Sequence, residues 1–130
     1  MRSERGQAVS LFLVVVTTAL LIVAGLVIDG GQQSAATRRA HLAAAAAARA
    51  GVDATASQRL AGSHVDAELA VRAARASLAS DPTLEADISL ESGGRLRVTT
   101  RTSVPTIFLS LIGITRLNSS GTAEAQLYRP

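Results

Sequence analysis

The first long pattern in the chain is an uninterrupted apolar run, AVSLFLVVVTTALLIVAGLVI, at positions 8–28. At about 1.5 Å per residue, a helix of about 20 residues crosses a hydrocarbon core of about 30 Å. Because hydrocarbon offers no hydrogen-bond partners to the backbone, this run is predicted to be a transmembrane helix. A cleaved signal peptide is the alternative, but its apolar core is usually only about 7 to 15 residues and ends at a small-x-small site. We therefore expect an uncleaved signal anchor, preceded by a short basic tail at 1–7.

The charges that flank the apolar run say little about orientation. Arg2 and Arg5 precede the run, whereas Arg38, Arg39 and Arg49 follow it. The positive-inside rule therefore gives almost no preference for either orientation of the span. The short tail favours a single-pass protein of the cytoplasmic membrane with its N-terminus inside and its C-terminal domain extracytoplasmic.

The chain after the run, at 29–62, contains no proline and is rich in alanine, the strongest helix former. We expect the membrane helix to continue outward as an alanine-rich helical stalk and linker. Asp29, Gly30 and Gly31 would mark the membrane boundary: the carboxylate would reach headgroups or water, and the glycines would end or bend the helix. The alanines suit close helix–helix packing, including a helix–helix oligomer, or simply reflect a GC-rich coding genome.

A second helix is predicted at about 63–79. Ser63 and Asp66 place hydrogen-bond acceptors at its start, and the sequence SDP at 80–82 stops it. Its predicted apolar stripe is formed by Val65, Leu69, Ala73 and Ala76.

A β-hairpin follows, because apolar and polar residues alternate through LEADISLESGGRLRVTTRTSVP on both sides of the turn Ser92–Gly94. If Glu91 pairs with Arg95, one register produces an apolar face and a charge-paired face together. A slip of one residue would invert both faces. The resulting pairs are Leu90 with Leu96, Ile88 with Val98, and Glu85 with Arg101.

The segment after Pro105, TIFLSLIGI, is unusually apolar for a loop. One interpretation is a short helix or turn that caps a small core under the sheet. The other is an exposed patch for a partner or a membrane surface. The patch would consist of Ile107, Phe108, Leu109, Leu111 and Ile112.

The last segment alternates small and polar residues and is predicted to form a third strand that includes Ala123, Ala125 and Leu127. Residues 63–130 would then form a small α+β domain with a three-stranded antiparallel sheet. Together with the long N-terminal helix, this predicts a pilin-like α+β architecture.

Signatures of chemistry are scarce. The absence of cysteine excludes disulfides, thiol catalysis and thiolate metal sites. His41 and His64 lack neighbours at metal-ligand spacing, and the DGG at 29–31 lacks the later glycine and lysine of a phosphate loop. All basic residues except the histidines are arginines scattered among acids, unlike the clustered basic face of a nucleic-acid-binding protein. We expect no enzymatic activity, no catalytic residues, no cofactor, no metal and no nucleic-acid partner.

Several of these segments resemble the TadE/TadG-like proteins of Flp (Tad) pilus assembly, and the actinobacterial members in particular. The likeness lies in the junction RGQAVSLF, the span ending in GLVIDGG, the arginine- and alanine-rich helix, and VPTIFLSLIGI followed by TAEAQ. The resemblance implies a pseudopilin-like structural or assembly component of a Flp (Tad) pilus or a related secretion system. Its expected partners are the lipid bilayer and other pilus-assembly or membrane platform proteins.

The resemblance also identifies Gly6 and Gln7 as a candidate processing site. In processed pseudopilins a peptidase cuts after a glycine, and a glutamate at the fifth mature position helps recruitment to the fibre. Here the fifth residue after Gly6 is Leu11. Since an acid in a lipid-facing span is costly and is kept only for a partner, its absence favours an anchored assembly component over a polymerising subunit. The competing hypothesis is a membrane-anchored binding or adaptor module of the cell envelope unrelated to pili.

Overall fold

The computed structural model describes residues 2–129, and the side chains from Glu4 onward; Met1, the start of the predicted basic tail, lies outside the described residues. The chain is α+β, as predicted. Its elements are α1 (Arg2–Ala54), α2 (Ala56–Leu60), α3 (Ala67–Leu78), β1 (Glu85–Glu91), β2 (Arg95–Pro105), a 3-10 helix (Leu109–Ile112) and β3 (Arg116–Gln126).

Helix α1 is one continuous helix that runs from the apolar span into the domain. Gly30 and Gly31 are helical and exposed, so the helix continues through them, as the stalk prediction expected, and of the two alternatives for these glycines the helix end is excluded. A glycine inside a helix costs about 1 kcal/mol relative to alanine, and the packing of the following turns offsets that cost. The N-terminal part of α1 is long and apolar enough to cross a membrane, which is consistent with a single-pass membrane protein.

The alanine-rich half of α1 is also the central helix of the domain. Small side chains recur on one face at intervals of three or four residues, so they form a single stripe along the helix. The sheet and α3 pack on this stripe. Its buried members are Ala36, Ala40, Ala44, Ala47, Ala48, Gly51 and Thr55.

The sheet is antiparallel with the order β1-β2-β3, and α1 packs against β2 and β3. The predicted hairpin register is confirmed, including the pair Glu91 with Arg95. Gly93 and Gly94 make the turn with φ of 88° and 75°, a left-handed conformation that glycine adopts without strain. The inner face of β2 is buried against α1 through Leu96, Val98, Thr100 and Thr102.

The outer face of the sheet carries a small network of charges around the hairpin. Arg97 lies 2.9 Å from Glu91 and 2.5 Å from Glu124, and Arg95 lies 3.6 Å from Glu124. These side chains are partly exposed, so each pair adds little stability. The network supports the register, whereas the apolar inner face supplies the stability.

Helix α3 buries a face shifted by one residue from the predicted stripe. Ala70, Ala74 and Leu78 are buried, whereas Ala76, which we predicted to be buried, is exposed. The reason is close packing: a Cβ on Gly51 of α1 would lie 3.0 Å from the Ala70 carbonyl oxygen. Only a face of alanines allows the two backbones to approach so closely.

Asp66 is the N-cap of α3, as predicted, and its Oδ1 accepts hydrogen bonds from the N–H groups of Glu68 (2.9 Å) and Leu69 (3.2 Å). We expect Asp66→Ala to lower the free energy of unfolding by about 1 kcal/mol. Ser63→Ala is the matched control, because Ser63 lies outside the helix and is exposed. Urea midpoints from pulse proteolysis in detergent would compare them, and equal midpoints would contradict the role of Asp66.

Candidate functional site

After β2 the chain leaves the sheet and crosses α1 at the end of the apolar span. We call residues 106–114 the apolar loop. The loop contains the 3-10 helix Leu109–Ile112, which ends at Gly113 with a left-handed φ of 91°. Its two ends are joined where the Thr106 N–H donates to the Thr115 carbonyl at 3.0 Å.

Asp29 holds the apolar loop on α1. Its carboxylate is buried, with 1% of the residue exposed. Oδ1 accepts a hydrogen bond from the Ile107 N–H at 2.8 Å, and Oδ2 accepts from Phe108 at 3.0 Å and Leu109 at 2.7 Å. The first N–H groups of a helix lack partners within it, and a carboxylate satisfies them strongly. Asp29 therefore caps the 3-10 helix from another element, and our expectation that it reaches headgroups or water is wrong.

The hydrogen bonds also determine the ionisation of Asp29, which lies one residue beyond the apolar span. Burial raises the pKa of this carboxyl, but the bonds from Ile107, Leu109 and Phe108 lower it, and the net pKa lies below the ordinary value. Asp29 is therefore ionised at neutral pH. Because all three donors point at the carboxylate, it serves as a fixed acceptor.

Gly25 lies one helical turn before Asp29 and makes room for Phe108. A Cβ on Gly25 would lie 2.5 Å from Cβ and 2.7 Å from Cγ of Phe108. Residues four apart share one helix face, so Gly25 and Asp29 form a single docking surface for the loop. We call this pair the loop dock.

The contact between α1 and β3 continues from the loop dock towards the core. The side-chain Nε2 of Gln33 donates to the Asn118 backbone carbonyl at 3.3 Å, and the backbone carbonyl of Gln33 accepts from Ser119 Oγ at 3.3 Å. Two turns further on, Thr100 Oγ1 donates to the Ala40 carbonyl at 2.7 Å. The loop dock is thus the end nearest the apolar span of a contact that runs along α1.

The predicted patch divides into two parts. Phe108 and Leu109 are half-buried, whereas Ile107, Leu111 and Ile112 are 56%, 83% and 72% exposed. The loop does form a short helix, as one interpretation expected. It covers the end of the apolar span on α1, and within the described residues the main hydrophobic core is built from other segments.

Among residues 2–129, no three His, Asp or Glu side chains are grouped as metal ligands. A groove of about 660 Å³ lies between α1 and the turn before β1. At its edge Arg39 lies 3.5 Å from Asp81 and donates to Thr83 Oγ1 at 3.1 Å. Hydrogen bonds from the Thr83 hydroxyl and N–H lower the pKa of Asp81, burial opposes this, and Arg39 lowers it further. These contacts tie the turn to α1.

The candidate processing site lies within the first turns of α1. Gly6 and Gln7 are helical and exposed. The Gly6 carbonyl also accepts a hydrogen bond from Ser10 Oγ at 3.0 Å. Gly6 is distant in sequence from the loop dock, so the two sites belong to opposite ends of the apolar span.

The chain matches no protein-family model, no curated protein and no solved structure. Both oxygens of Asp29 accept hydrogen bonds from backbone donors, so the carboxylate holds the apolar loop on α1. Sequence reasoning noticed Asp29 but missed Gly25. The signal that could have found it is a glycine four residues before an acid, at the end of an apolar run.

Gly25→Val is expected to weaken docking of the apolar loop by about 1 to 3 kcal/mol, because its side chain would overlap Phe108. Gly30→Ala is the control, since open space surrounds that position. Hydrogen exchange in nanodiscs would show faster exchange of the loop amides for Gly25→Val alone. Unchanged exchange in that variant would contradict the close contact.

Proposed function

We propose that this chain is a single-pass, membrane-anchored structural component of a Flp (Tad) pilus or a related secretion system. It is pseudopilin-like, and its C-terminal domain lies outside the cytoplasmic membrane. The observation that carries the proposal is the continuity of α1, which exposes an apolar half and builds the domain core with its alanine-rich half.

The apolar half of α1 requires a surrounding that water does not provide. Nearly all side chains from 8 to 28 are exposed, and Gly25 is buried only because the apolar loop covers it. An exposed apolar surface of this length marks contact with a membrane or with other apolar helices. Its length and the lack of charge between Arg5 and Asp29 suit a bilayer.

Continuity of α1 also couples the anchor to the domain. A helix with uninterrupted backbone hydrogen bonds transmits a tilt or displacement of its membrane half to the sheet packed on its other half. A component that presents a domain at a set position above the membrane needs this coupling. The residues of the junction RGQAVSLF and of GLVIDGG support the choice of a pilus system among membrane assemblies.

The composition of the span favours an anchored assembly component over a polymerising subunit. Residues 8–28 contain no acid, and the fifth residue after Gly6 is Leu11. A span without a buried charge is stable in lipid on its own and needs no partner to neutralise it. The chain can therefore remain in the membrane throughout fibre growth.

Deletion of the gene in its host, with complementation, tests the proposal. We expect loss of surface fibres or of secretion, restoration by the full chain, and recovery of the protein with membranes rather than with sheared fibres. Normal fibres and secretion in the deletion strain would refute a pilus role and support the adaptor hypothesis. Recovery in sheared fibres would refute the anchored component and identify a fibre subunit.

Mass spectrometry of the membrane-extracted protein tests whether Gly6 is cleaved. An anchored, unprocessed component retains residues before Gln7, so its N-terminus begins at Met1 or Arg2. A mature N-terminus at Gln7 would instead show that a peptidase uses this site, which would contradict the unprocessed anchor.

A further inference from the structure

The apolar loop is the main cluster of exposed apolar side chains outside the span. Ile107, Leu111, Ile112 and Ile114 are all exposed within eight consecutive residues. Other large exposed apolar residues of the domain, such as Leu42, Leu60 and Leu90, stand singly in the sequence. Scattered single residues are ordinary on a protein surface, whereas a cluster indicates an interaction site.

The position of the loop along α1 places it at the edge of the proposed membrane. Phe108 packs on Gly25, which lies inside the apolar span, and the loop amides bind Asp29, one residue beyond it. Four residues of helix correspond to about 6 Å. The loop therefore lies within about one helical turn of the boundary between apolar and polar surroundings.

The backbone of the loop is largely satisfied within the protein. Asp29 accepts three N–H groups, and the N–H groups of Leu111, Gly113 and Ile114 donate to Phe108, Ser110 and Leu109 carbonyls respectively. Moving a backbone N–H or carbonyl group out of water costs little free energy when the group has a hydrogen-bond partner within the protein, and much when it has none. The loop can thus approach hydrocarbon without exposing a row of unpaired donors.

The polar side chains of the loop are also turned to its own backbone. Thr106 Oγ1 donates to the Ile114 carbonyl at 2.5 Å, and Ser110 Oγ donates to the Ile107 carbonyl at 2.6 Å. No charged residue lies between Arg101 and Arg116. What the loop presents outward is therefore mainly aliphatic.

We propose that the apolar loop is a second membrane contact, which inserts Ile107, Leu111 and Ile112 into the headgroup and acyl boundary of the bilayer that α1 crosses. The occupant of this surface is lipid because the surface continues that of the span: the loop packs on Gly25, and Leu26, Val27 and Ile28 beside it are exposed. This inference rests on the membrane anchoring in the proposed function, but not on the pilus assignment.

Two membrane contacts on one protein restrict its orientation more than one contact does. A single helix can rotate about its axis and tilt in the bilayer. With the loop embedded beside α1, a tilt of the helix away from the loop, or rotation of a tilted helix about its axis, would pull Leu111 and Ile112 out of the boundary. The domain therefore rests directly on the membrane and presents a constant face of its sheet to the exterior.

Fluorescence of single-cysteine variants in proteoliposomes tests the loop contact, because the chain contains no natural cysteine. The variant Leu111→Cys carries an environment-sensitive nitrobenzoxadiazole label. Val15→Cys, in the middle of the span, and Leu60→Cys, exposed on α2, are the apolar and aqueous controls. The vesicles contain phosphatidylglycerol and phosphatidylethanolamine, with or without a lipid that carries a nitroxide near its headgroup.

We expect the label at Leu111 to show blue-shifted emission, strong quenching by the shallow nitroxide lipid and little quenching by aqueous iodide. Emission and iodide quenching like those of the Leu60 control would overturn the loop contact while leaving the anchor intact. A blue shift with quenching by neither agent would also overturn it, because the occupant would then be a second copy or another protein. A water-exposed label at Val15 would refute the anchor itself, and the loop contact with it.

Discussion

Gly121→Ala is expected to destabilise the whole domain, although it adds only one methyl group. Gly121 lies in β3 opposite Thr100 of β2, where the sheet crosses α1. A Cβ at this position would overlap the backbone of α1 at Ala40 and His41, closer than real Cβ atoms approach. A flexible side chain could move away, but two packed backbones cannot without separating the sheet from the helix.

The expected loss is about 3 kcal/mol or more, at the upper end of the range for overpacked cores. A small domain is stable by only about 5 to 15 kcal/mol in total, so a large fraction of the molecules would unfold under mild denaturant. Separation would also break the hydrogen bond from Thr100 Oγ1 to the Ala40 carbonyl. Loss of one contact thus brings loss of its neighbour.

Urea-dependent pulse proteolysis in detergent micelles measures this effect on the complete chain. Ser120→Ala is the matched control, because Ser120 is exposed on the same strand and its replacement should change stability by no more than about 0.5 kcal/mol. A Gly121→Ala protein with the midpoint of the Ser120→Ala control would show that α1 and the sheet are not in backbone contact.

Asp29→Ala should release the apolar loop while the rest of the domain stays folded. The change removes the acceptor of three backbone N–H groups at once. Donors left without a partner are costly to keep buried, so the loop is expected to undock and let water reach them. Asp29→Asn retains one carbonyl oxygen and should give an intermediate effect.

Hydrogen exchange of the Ile107, Phe108 and Leu109 amides measures loop docking directly. We expect Asp29→Ala to accelerate their exchange by at least about tenfold, with no change in the amides that join β2 to β3. Asp53→Ala is the control, since Asp53 is exposed on the same helix. Slow exchange of the loop amides in Asp29→Ala would mean that Asp29 does not hold the loop.

Loop docking should also depend on pH, because protonation of the Asp29 carboxylate weakens it. Because hydrogen bonds hold the folded pKa of Asp29 below its ordinary value of about 3.9, the undocked state binds the proton more readily. The stabilisation is therefore present from neutral pH down to about pH 4 and is lost as the pH falls through the lower folded pKa. Exchange rates corrected for intrinsic chemistry should show this loss in the natural chain and not in Asp29→Ala.

The sequence predicted the hairpin well because its information is local. Apolar and charged residues alternate in step on both strands, so one register satisfies both faces and Gly93–Gly94 close the turn. It also predicted that α1 continues into the alanine-rich segment, but it left open whether the helix ends or bends at Gly30 and Gly31. Glycine is a local signal for a helix end, whereas the helix is maintained by tertiary packing of the alanines beyond it.

The sequence pointed to only one of the two residues of the loop dock, Asp29, and not to Gly25. The Asp29 carboxylate stood out as an acid at the end of an apolar run, but its partners are 78 to 80 residues away in sequence. Nothing near Asp29 indicates that backbone donors will meet it. The burial of Ala70 and Ala74 on α3 could not be predicted for a related reason. More than one face of this helix carries alanine, and which face is buried depends on the element that packs against it.

Helix α1 runs without interruption from the apolar span into the core of the domain. The most direct test is the distance between spin labels on Leu20→Cys and Leu42→Cys in one chain reconstituted in nanodiscs, because both positions are exposed and lie on opposite sides of Gly30 and Gly31. The two positions are 22 residues apart, so at about 1.5 Å per residue a continuous helix predicts one narrow distribution centred near about 33 Å. A broad distribution, or a maximum at a clearly shorter distance, would show that the glycines form a hinge and would contradict the continuity of α1.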